Sequence, residues 1–409
     1  MAFSKTLKPG QPLKVCLVSG TVPPLRCGVG DYTIKLAQAL VSQTRIKFEL
    51  SILTAEQVQT TESYQTAKFK LVNMVSRWDW ANLRRILAYF AATQFDIIHF
   101  QYPTTLYGRH PAITLLPSLL RLQALIKRSK SPRCILTIHE YATFRLAGKI
   151  RIWLMALGCQ SVICVSQATV QSLRPLRRLG KQLLYIPLGS NISNELPADY
   201  EENPLQWRQA HGLPIGTPIV AYFGFISPSK GLPDLIEAFA NLKAEAWLLL
   251  IAEPKAQDDN YRSYFDKLKQ LIKSRNLEAK VSWTGFVSET EVSAYLRQAT
   301  VAVFPFIDGV SLRRTSIIAA LINRVAVIST IPTNSYEAGS LVAGQNIWLV
   351  PPKSPIALGE AIEKLLSDNS LQAKLAENGQ KLAAGLSWQT IAQQHLNSYF
   401  GQLSVSVSE

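Results

Sequence analysis

The chain has 409 residues, of which 47% are hydrophobic and 17% are charged, so its composition excludes an intrinsically disordered protein. No segment approaches the roughly 18 consecutive apolar residues of a transmembrane helix, and the N-terminal segment lacks the apolar stretch of a secretory signal. The formal net charge is +15, and residues 1–200 carry all of the excess, with 25 Lys and Arg against 9 Asp and Glu. Such a basic half favours a polyanionic partner or an anionic membrane surface; a solvated basic surface without a specific partner is the alternative.

The length and the cysteines bear on the domain count and the compartment. A chain of this length exceeds the size at which single hydrophobic cores stop growing, so we expect two domains.

The five cysteines are odd in number and lack CxxC spacing. We therefore expect reduced, mostly buried thiols in a cytoplasmic protein, with peripheral contact at the inner face of the membrane as a further hypothesis.

The first half of the chain alternates strand-like and helix-like segments. Its strand patterns are "KVCLVSG", "FELSILT", "DIIHFQY", "CILTIHE", "SVICVS" and "LLYIPLG". Helical periodicity lies between them, at about 31–43, 79–93, 111–129, 146–157 and 167–174. This alternation is typical of a parallel sheet covered by helices. The polar, proline-containing residues 192–207 are interpreted as a linker.

The second half of the chain shows the same alternation of strand-like and helix-like segments. Its strand patterns are "PIVAYFG", "AWLLLIA", "KVSWTG", "VAVFPF" and "VAVIST", with helices predicted from Leu232 onward, at 260–275, after Glu289, at 311–323, and near 355–366 and 370–383. The sequence thus predicts two doubly wound parallel sheets, whose ligand crevices lie at the carboxyl ends of the strands. We expect domains at 1–195 and 196–386, and a helix and tail at 387–409 that pack back toward the first domain.

Two glycines stand in the first strand-to-helix loop, in "RCGVGDYTIKLAQAL". Gly28 and Gly30 come just before an amphipathic helix, where free backbone N–H groups and the helix dipole favour an anion. An ordinary tight turn is the alternative interpretation. His139 ends the strand "ILTIHEY", at the edge where such sheets hold functional groups, and otherwise it would cap a neighbouring loop.

Charged side chains cluster at the corresponding loops of the second domain. Lys230, in "YFGFISPSKG", could neutralise a phosphate or simply be solvated. In "FPFIDGVSLRRTSIIAAL", Asp308 could accept two hydrogen bonds from sugar hydroxyls. Arg313 and Arg314 precede a helix, where positive charge is unfavourable, so two unpaired arginines there indicate an anionic ligand. The alternative is a surface cap whose arginines pair with nearby carboxylates.

Nearly the whole chain resembles a family-4 (group 1) retaining glycosyltransferase. The matching segments, in order, are "CGVGDYTIKLA", "DIIHFQY", "LTIHE", "VSQAT", "YIPLGSNI", "YFGFISPSKGLPDLIEAF", "WTGFVSETEVSAYL", "VFPFIDGVSLRRTSIIAAL" and "SWQTIA". The resemblance implies the GT-B architecture, in which two Rossmann-like α/β domains with doubly wound parallel sheets face a central cleft.

The resemblance also implies roles for individual residues. The backbone amides of Gly28, Val29 and Gly30 would meet the donor's phosphate, and His139 would lie beside the transferred sugar. Lys230 would contact the diphosphate. The catalytic residues implied are His139 and Asp308, and the donor-binding residues are Gly28, Val29, Gly30, Lys230, Gly285, Phe286, Val287, Gly309, Ser311, Arg313, Arg314 and Ser316. Among these, residues 285–287 would frame the nucleotide base.

The chain departs from the family's pattern at two places. The family has Glu, seven residues, then Glu; here Asp308 stands at the first position and Ser316 at the second, which ordinarily holds the ribose. The basic residue usual after "YFG" is replaced by residues 225–227, "FIS", so Arg313 or Arg314 is the candidate for that charge.

The expected reaction is transfer of a hexose from a nucleotide-diphosphate sugar to a hydroxyl of a glycan or lipid-linked acceptor, with retention of anomeric configuration. We expect no cofactor beyond this co-substrate and no metal, since an Asp-x-Asp motif is absent. Fixed positive charge at the leaving diphosphate would then carry much of the catalysis. The basic amphipathic segments "RHPAITLLPSLLRLQALIKRSKSPR" and "FRLAGKIRIWLMALG" suggest contact with anionic lipid or an anionic acceptor, and helices packed on the sheet are the alternative.

Three rival functions stay open at this stage. A sugar-nucleotide epimerase shares the architecture but needs acid and base groups, and the chain has no carboxylate cluster to supply them. A catalytically degenerate protein that binds nucleotide or glycan without transfer is favoured by Ser316. A nucleic-acid binder is suggested by charge alone; no aromatic-and-basic binding motif supports it, so no nucleic acid is expected.

Overall fold

The structure is a computed structural model that describes residues 11–25, 27–43, 47–58, 68–108, 110–252 and 259–400. The chain forms two compact units. The N-terminal unit comprises Met1–Gly189 together with Trp388–Glu409, and the C-terminal unit comprises Ser190–Ser387.

The N-terminal unit is built on a seven-stranded, entirely parallel sheet with the strand order β3-β2-β1-β4-β5-β6-β7. The strands are β1 (Leu13–Val18), β2 (Phe48–Ala55), β3 (Lys70–Val75), β4 (Ile97–Tyr102), β5 (Arg133–Ile138), β6 (Ser161–Cys164) and β7 (Gln182–Tyr185). The α-helices are Gly28–Val41, Trp80–Thr93, Ala112–Ile126, Leu146–Gly158, Gln167–Leu173 and Trp388–Phe400, and the 3-10 helices are Thr105–Tyr107 and Arg174–Leu179. The central strands β4 and β5 are buried along their whole length, as a sheet covered on both faces requires.

The C-terminal unit has a six-stranded parallel sheet with the order β10-β9-β8-β11-β12-β13. Its strands are β8 (Ile219–Phe223), β9 (Trp247–Ile251), β10 (Val281–Trp283), β11 (Val301–Phe304), β12 (Ala326–Thr330) and β13 (Trp348–Val350). The α-helices are Ala198–Glu202, Pro204–Ala210, Leu232–Ala240, Asp259–Ser274, Glu289–Gln298, Thr315–Ile322, Ser335–Ala338, Pro355–Ser367 and Asn369–Ala384, and the 3-10 helices are Pro228–Lys230 and Glu278–Lys280.

These sheets confirm the predicted fold class of two doubly wound α/β domains. In each sheet the strand order reverses once, between β1 and β4 in the N-terminal unit and between β8 and β11 in the C-terminal unit. The loops that follow these strands run to opposite faces of the sheet and leave a crevice between them, which is where doubly wound domains bind ligands.

The interpretation of residues 192–207 as a linker was wrong. This segment contains the short helix Ala198–Glu202 and the start of Pro204–Ala210, and it belongs to the C-terminal unit. Tyr200 and Trp207 are buried in that unit's core, and their ring centroids lie 5.3 Å apart. Burial of two large aromatic side chains outweighs the polar residues around them.

The five cysteines, all among the described residues, are thiols outside any disulfide. Cys16, Cys134, Cys159 and Cys164 are buried, whereas Cys27 is partly exposed. Burial raises the pKa of the Cys134 thiol to about 12, and the pKa values of the other three buried thiols are raised by the same cause.

Candidate functional site

Most of the predicted site residues follow strands at or beside the two reversal points. In the N-terminal unit the glycine loop follows β1, and His139 directly follows β5, which pairs with β4. In the C-terminal unit Lys230 follows β8, and Asp308 lies in the loop after β11. Each unit therefore holds these four features at the carboxyl edge of its sheet, beside its own crevice, whereas residues 285–287 follow β10, two strands from β8.

The glycine loop opens the helix Gly28–Val41 and leaves its first amides available. The first backbone bond of the helix runs from Asp31 N to the carbonyl of Cys27, 2.9 Å away, and the Cys27 side chain makes no capping bond. Gly28 is exposed, whereas Gly30 is buried. A Cβ on Gly30 would lie 2.8 Å from the carbonyl oxygen of Thr21, so only glycine lets this helix approach the loop after β1 so closely.

His139 is held against the same helix. Its ring packs edge-on against Tyr32, with the two ring centroids 4.7 Å apart. Its Nε2 lies 2.9 Å from the amide oxygen of Gln101, the penultimate residue of β4. Although the residue keeps part of its surface exposed, the packing around its imidazole lowers its pKa to about 3, so the ring is neutral near pH 7.

A hydrogen-bond chain continues from Gln101 into the core. The Gln101 amide nitrogen lies 3.3 Å from His99 Nε2, which also accepts from the Thr137 hydroxyl at 2.7 Å. His99 Nδ1 then donates to the Tyr399 hydroxyl, 2.8 Å away. One assignment of tautomers satisfies every hydrogen bond in this series: His139 carries its proton on Nε2 and His99 carries its proton on Nδ1.

The helix Trp388–Phe400 forms the far side of this network. His395 Nε2 lies 2.8 Å from the Tyr32 hydroxyl, and the Trp388 ring packs 5.1 Å from the Tyr32 ring. Both contacts reach the helix that the glycine loop opens. The last helix of the chain therefore fixes the surroundings of His139 from within the N-terminal unit.

In the C-terminal unit, two cations lie over one aromatic ring. Lys230 Nζ is 5.0 Å from the centre of the Phe306 ring, and the Arg314 guanidinium carbon is 4.1 Å from it. Phe306 is buried, and the Ile307 amide donates to the carbonyl of Ser229, 3.3 Å away, which ties the two loops together. The structure thus brings together two predicted donor-binding residues that lie 84 positions apart.

Arg314 is also paired with Asp308. The guanidinium is mostly buried, whereas the carboxylate is more than half exposed, and the two form a hydrogen-bonded ion pair. Burial lowers the pKa of Arg314 and the charge of Asp308 opposes that shift. The guanidinium Nε is buried without a hydrogen-bond partner among the residues that the structure describes.

Gly309 lets the loop after β11 pass close to the loop after β12. Its φ is +85°, in the left-handed region that favours glycine, and a Cβ there would lie 2.5 Å from the carbonyl oxygen of Ile331. This close approach fixes the backbone next to Asp308.

The expectation of two unpaired arginines was wrong. Arg314 pairs with Asp308, and Arg313 Nε lies 3.2 Å from a carboxylate oxygen of Glu337. The Ser311 hydroxyl donates to the same Glu337 carboxylate at 2.7 Å. Arg313 and Ser311 therefore belong to an internal cluster around Glu337, and this position gives no independent indication of an anion.

The remaining predicted donor residues occupy two further loops. Ser316 lies in the first turn of the helix Thr315–Ile322 and faces Gly224, whose Cβ position would be 3.8 Å from the serine Cβ. Gly285 follows β10 with a φ of +70°. Phe286 is 75% exposed, and Val287 packs against the core of the unit.

Sequence reasoning missed Glu337, Gln101 and Tyr32. Glu337 lies in a four-residue helix after β12, where the local pattern gives no functional signal. Gln101 lies in "DIIHFQY", a segment that we used only to predict a strand, and as the penultimate residue of that strand it is placed beside His139. Tyr32 lies on the helix that follows the glycine loop, and its polar partner His395 is 363 residues away.

Two cavities lie in the N-terminal unit. One, of about 380 Å³, adjoins the carboxyl ends of β2 and β3 and is lined by Gln57, Trp78, Tyr107 and His110, among others. Another, of about 730 Å³, lies at the opposite edge beside Lys14 and Pro132. Of these two cavities, the smaller lies at the carboxyl edge of the sheet, the edge at which parallel sheets hold their reactive loops. Among the described residues, no group of three or more His, Cys, Asp or Glu is arranged to hold a metal ion.

Comparison with known families matches most of each unit. The sequence model described as glycosyl transferases group 1 matches residues 205–382, and that described as glycosyltransferase family 4 matches residues 27–193. The chain belongs to the family-4 (group 1) glycosyltransferases. The resemblance noted from the motifs is therefore confirmed.

Curated relatives of this glycosyltransferase match it over part of their length. An α-D-kanosaminyltransferase from Streptomyces kanamyceticus is 27% identical over 199 residues, which is 46% of each chain. A D-inositol 3-phosphate glycosyltransferase from Corynebacterium glutamicum is 26% identical over 204 residues, 47% of this chain and 45% of the relative. The chain thus spans about half the length of the curated relatives it matches.

Solved structures share the fold over both units. A glycosyltransferase from Rickettsia africae superposes with a TM-score of 0.75 at 18% identity, covering 97% of this chain and all of the other. Anabaena HepE, solved with UDP and glucose, has a TM-score of 0.68 at 17% identity and covers 94% of this chain and 99% of its own. These likenesses identify the GT-B fold.

Proposed function

We propose that this glycosyltransferase moves a hexose from a nucleotide-diphosphate sugar to a hydroxyl of a glycan or lipid-linked acceptor, with retention and without a metal. The observation that carries the proposal is the pair of cations over Phe306, where Lys230 and Arg314 lie beside the Asp308 loop at the reversal point of the C-terminal sheet. Support for a nucleotide donor comes from the HepE complexes, which contain UDP or UDP-glucose.

The leaving diphosphate is where we expect positive charge to act. As the bond to the anomeric carbon breaks, negative charge builds on the departing phosphate, and fixed cations and amides stabilise it without reorganising. Lys230 and Arg314 supply this charge in the C-terminal unit. In the N-terminal unit, the first amides of the helix Gly28–Val41 are likewise suited to an anion.

We assign His139 and Asp308 to the sugar. The neutral His139 ring is held by Gln101 and Tyr32, so it can meet the transferred sugar in one orientation and steady the charge that develops there. The exposed Asp308 carboxylate can accept hydrogen bonds from sugar hydroxyls while it stays paired with Arg314. Retention needs no protein nucleophile if the departing phosphate takes the acceptor's proton.

We assign the acceptor to the cavity at the carboxyl ends of β2 and β3. Its wall includes Trp78 and Tyr107, whose rings pack edge to face at 4.9 Å, together with polar side chains such as Gln57. A cavity with an apolar wall and a few polar groups suits a partly apolar acceptor.

A binding protein without transfer is the second candidate, because Ser316 replaces the family's second carboxylate. A serine hydroxyl makes a weaker bond to a ribose than a carboxylate does. Calorimetry with UDP, GDP and ADP, followed by donor hydrolysis across the corresponding sugars, separates the two. Binding with turnover supports transfer, and binding without turnover against a broad acceptor panel favours the second candidate. No nucleotide binding contradicts transfer and leaves only a glycan-binding form of the second candidate.

A further inference from the structure

One helix of the N-terminal unit exposes an uninterrupted apolar stripe. On Leu146–Gly158, the side chains of Leu146, Ile150, Leu154 and Leu157 follow one another at helical spacing, and all four are exposed, Leu146 by 74%. A helix that covers a sheet ordinarily turns polar residues to solvent at these positions. This helix instead has apolar residues on both its buried and its exposed sides.

The neighbouring helix Ala112–Ile126 continues the same surface. Its last turns expose Leu122, Leu125 and Ile126, the latter two by 75% and 71%. The two helices are in contact, because the Arg121 guanidinium donates to the Leu157 carbonyl at 3.4 Å and Arg151 Nε donates to the Thr114 hydroxyl at 3.3 Å. We call the exposed apolar side chains of these two helices the docking face. An apolar surface shared by two adjacent helices indicates an interaction site.

Cations predominate around the docking face, and Asp96 is paired with Lys130 just beyond the end of the first helix. Residues 97–181 contain 13 Lys and Arg and a single acidic residue, Glu140. The exposed cations at the ends of the two helices are Arg121, Lys127, Arg128 and Arg145. Beyond them, Lys181 Nζ donates to the carbonyls of Leu157 and Cys159 at 2.6 and 2.8 Å, which adds a cation at the end of the second helix.

We propose that the docking face binds the surface of an anionic lipid bilayer. Leucine and isoleucine side chains would enter the boundary of the acyl chains while the surrounding arginines and lysines meet headgroup phosphates. A nucleic acid would satisfy the cations but would leave the apolar stripe in water. A second copy of this chain would bring two strongly basic surfaces together. The combination of exposed apolar side chains and surrounding cations therefore favours an anionic lipid surface.

Vesicle sedimentation of the full chain tests the proposal. We expect binding to phosphatidylcholine vesicles that contain phosphatidylglycerol, loss of that binding as salt rises, and little binding to phosphatidylcholine alone. The double variant Leu125→Gln/Ile126→Gln and the double variant Lys127→Glu/Arg145→Glu should each weaken partitioning by about tenfold or more. All four side chains are exposed, so these changes leave the core intact.

Matched controls are available in the C-terminal unit. Ile356→Gln changes an isoleucine that is 77% exposed, and Lys280→Glu reverses an exposed charge; neither should alter vesicle binding.

No binding to anionic vesicles at low salt overturns the proposal, and so does binding that the two docking-face variants leave unchanged. A concentration-dependent dimer abolished by Leu125→Gln/Ile126→Gln would instead assign the face to a second copy. Vesicle binding is measured independently of catalysis, so a negative result would contradict the lipid proposal without contradicting the proposed function.

Discussion

The His139 imidazole donates from Nε2 to the Gln101 amide oxygen across 2.9 Å, at the carboxyl ends of two adjacent strands. Since an amide oxygen only accepts, this bond fixes which nitrogen of the ring carries the proton. Gln101 is in turn held by His99, and His99 by Tyr399 of the last helix. The orientation of the proposed catalytic histidine thus depends on a residue 260 positions later in the sequence.

Loss of the Gln101 amide should lower turnover more than donor affinity. In Gln101→Leu the His139 ring loses its acceptor and its fixed orientation, so we expect kcat to fall about 10- to 100-fold while the affinity for nucleoside diphosphate changes little. Gln101→Glu keeps an acceptor and adds a negative charge, which raises the pKa of His139 and moves the acidic limb of the pH–rate profile upward. Equal losses in kcat and donor affinity, with an unshifted profile, would contradict a positioning role.

Stability should fall as the pH drops below about 6.5. Burial lowers the pKa of His395 to about 3 and that of His99 well below its ordinary value. In the unfolded chain both imidazoles take up protons near pH 6.5, so the unfolded state binds more protons below that pH. The free energy of unfolding therefore decreases with falling pH, by up to about 1.4 kcal/mol per pH unit for His395.

Denaturant unfolding between pH 7 and about 5 measures this slope before most carboxylates titrate. His395→Gln should flatten the profile, because it removes one of the buried imidazoles whose pKa is lowered. A wild-type free energy of unfolding that stays constant over this range would show that the buried imidazoles are not neutral in the way we describe.

The two adjacent arginines should behave differently. Arg314→Ala removes a cation beside Lys230 and Phe306, so we expect donor-diphosphate affinity to fall by about tenfold or more. Arg313→Ala breaks the Glu337 cluster instead and should mainly lower stability, by about 1 kcal/mol. Calorimetric affinity and thermal unfolding of both variants make the comparison; a larger affinity loss in Arg313→Ala would reverse our assignment.

The glycine loop offers a matched pair of substitutions. In Gly30→Ala the new methyl group meets the Thr21 carbonyl oxygen at 2.8 Å and the Val22 Cα at 2.9 Å, so about 1–3 kcal/mol of stability should be lost. Gly28→Ala meets nothing within 4 Å and should cost almost nothing. Equal stability of the two variants, measured by chemical denaturation, would show that the close approach of this helix is unimportant.

Local sequence patterns predicted the parallel sheets because largely buried strands such as β9, "WLLLI", are apolar throughout. They missed β3, whose partly exposed edge position leaves a mixed sequence, "KLVNMV", without a strong period. They also misjudged the segment that holds Tyr200 and Trp207, since its polar residues conceal two buried aromatics. In each case the missing information was which side chains a tertiary contact would bury.

The candidate site was predicted unevenly for a similar reason. Lys230 and the glycine loop stand next to strand ends, which the sequence identifies. The pairing of Arg313 with Glu337, and the support of His139 by Gln101, join segments whose proximity is set by the sheet order. A local motif therefore reveals a charged side chain but not the partner that neutralises or orients it.

Titration of a nucleoside diphosphate into the wild type, Lys230→Ala and Lys280→Ala tests the central claim most directly. Lys280 is exposed and directly precedes β10, at the edge of the sheet opposite to the proposed site. The account predicts an affinity about tenfold or more lower in Lys230→Ala alone, and a smaller difference for the corresponding monophosphate. Equal diphosphate affinity in all three proteins would contradict it.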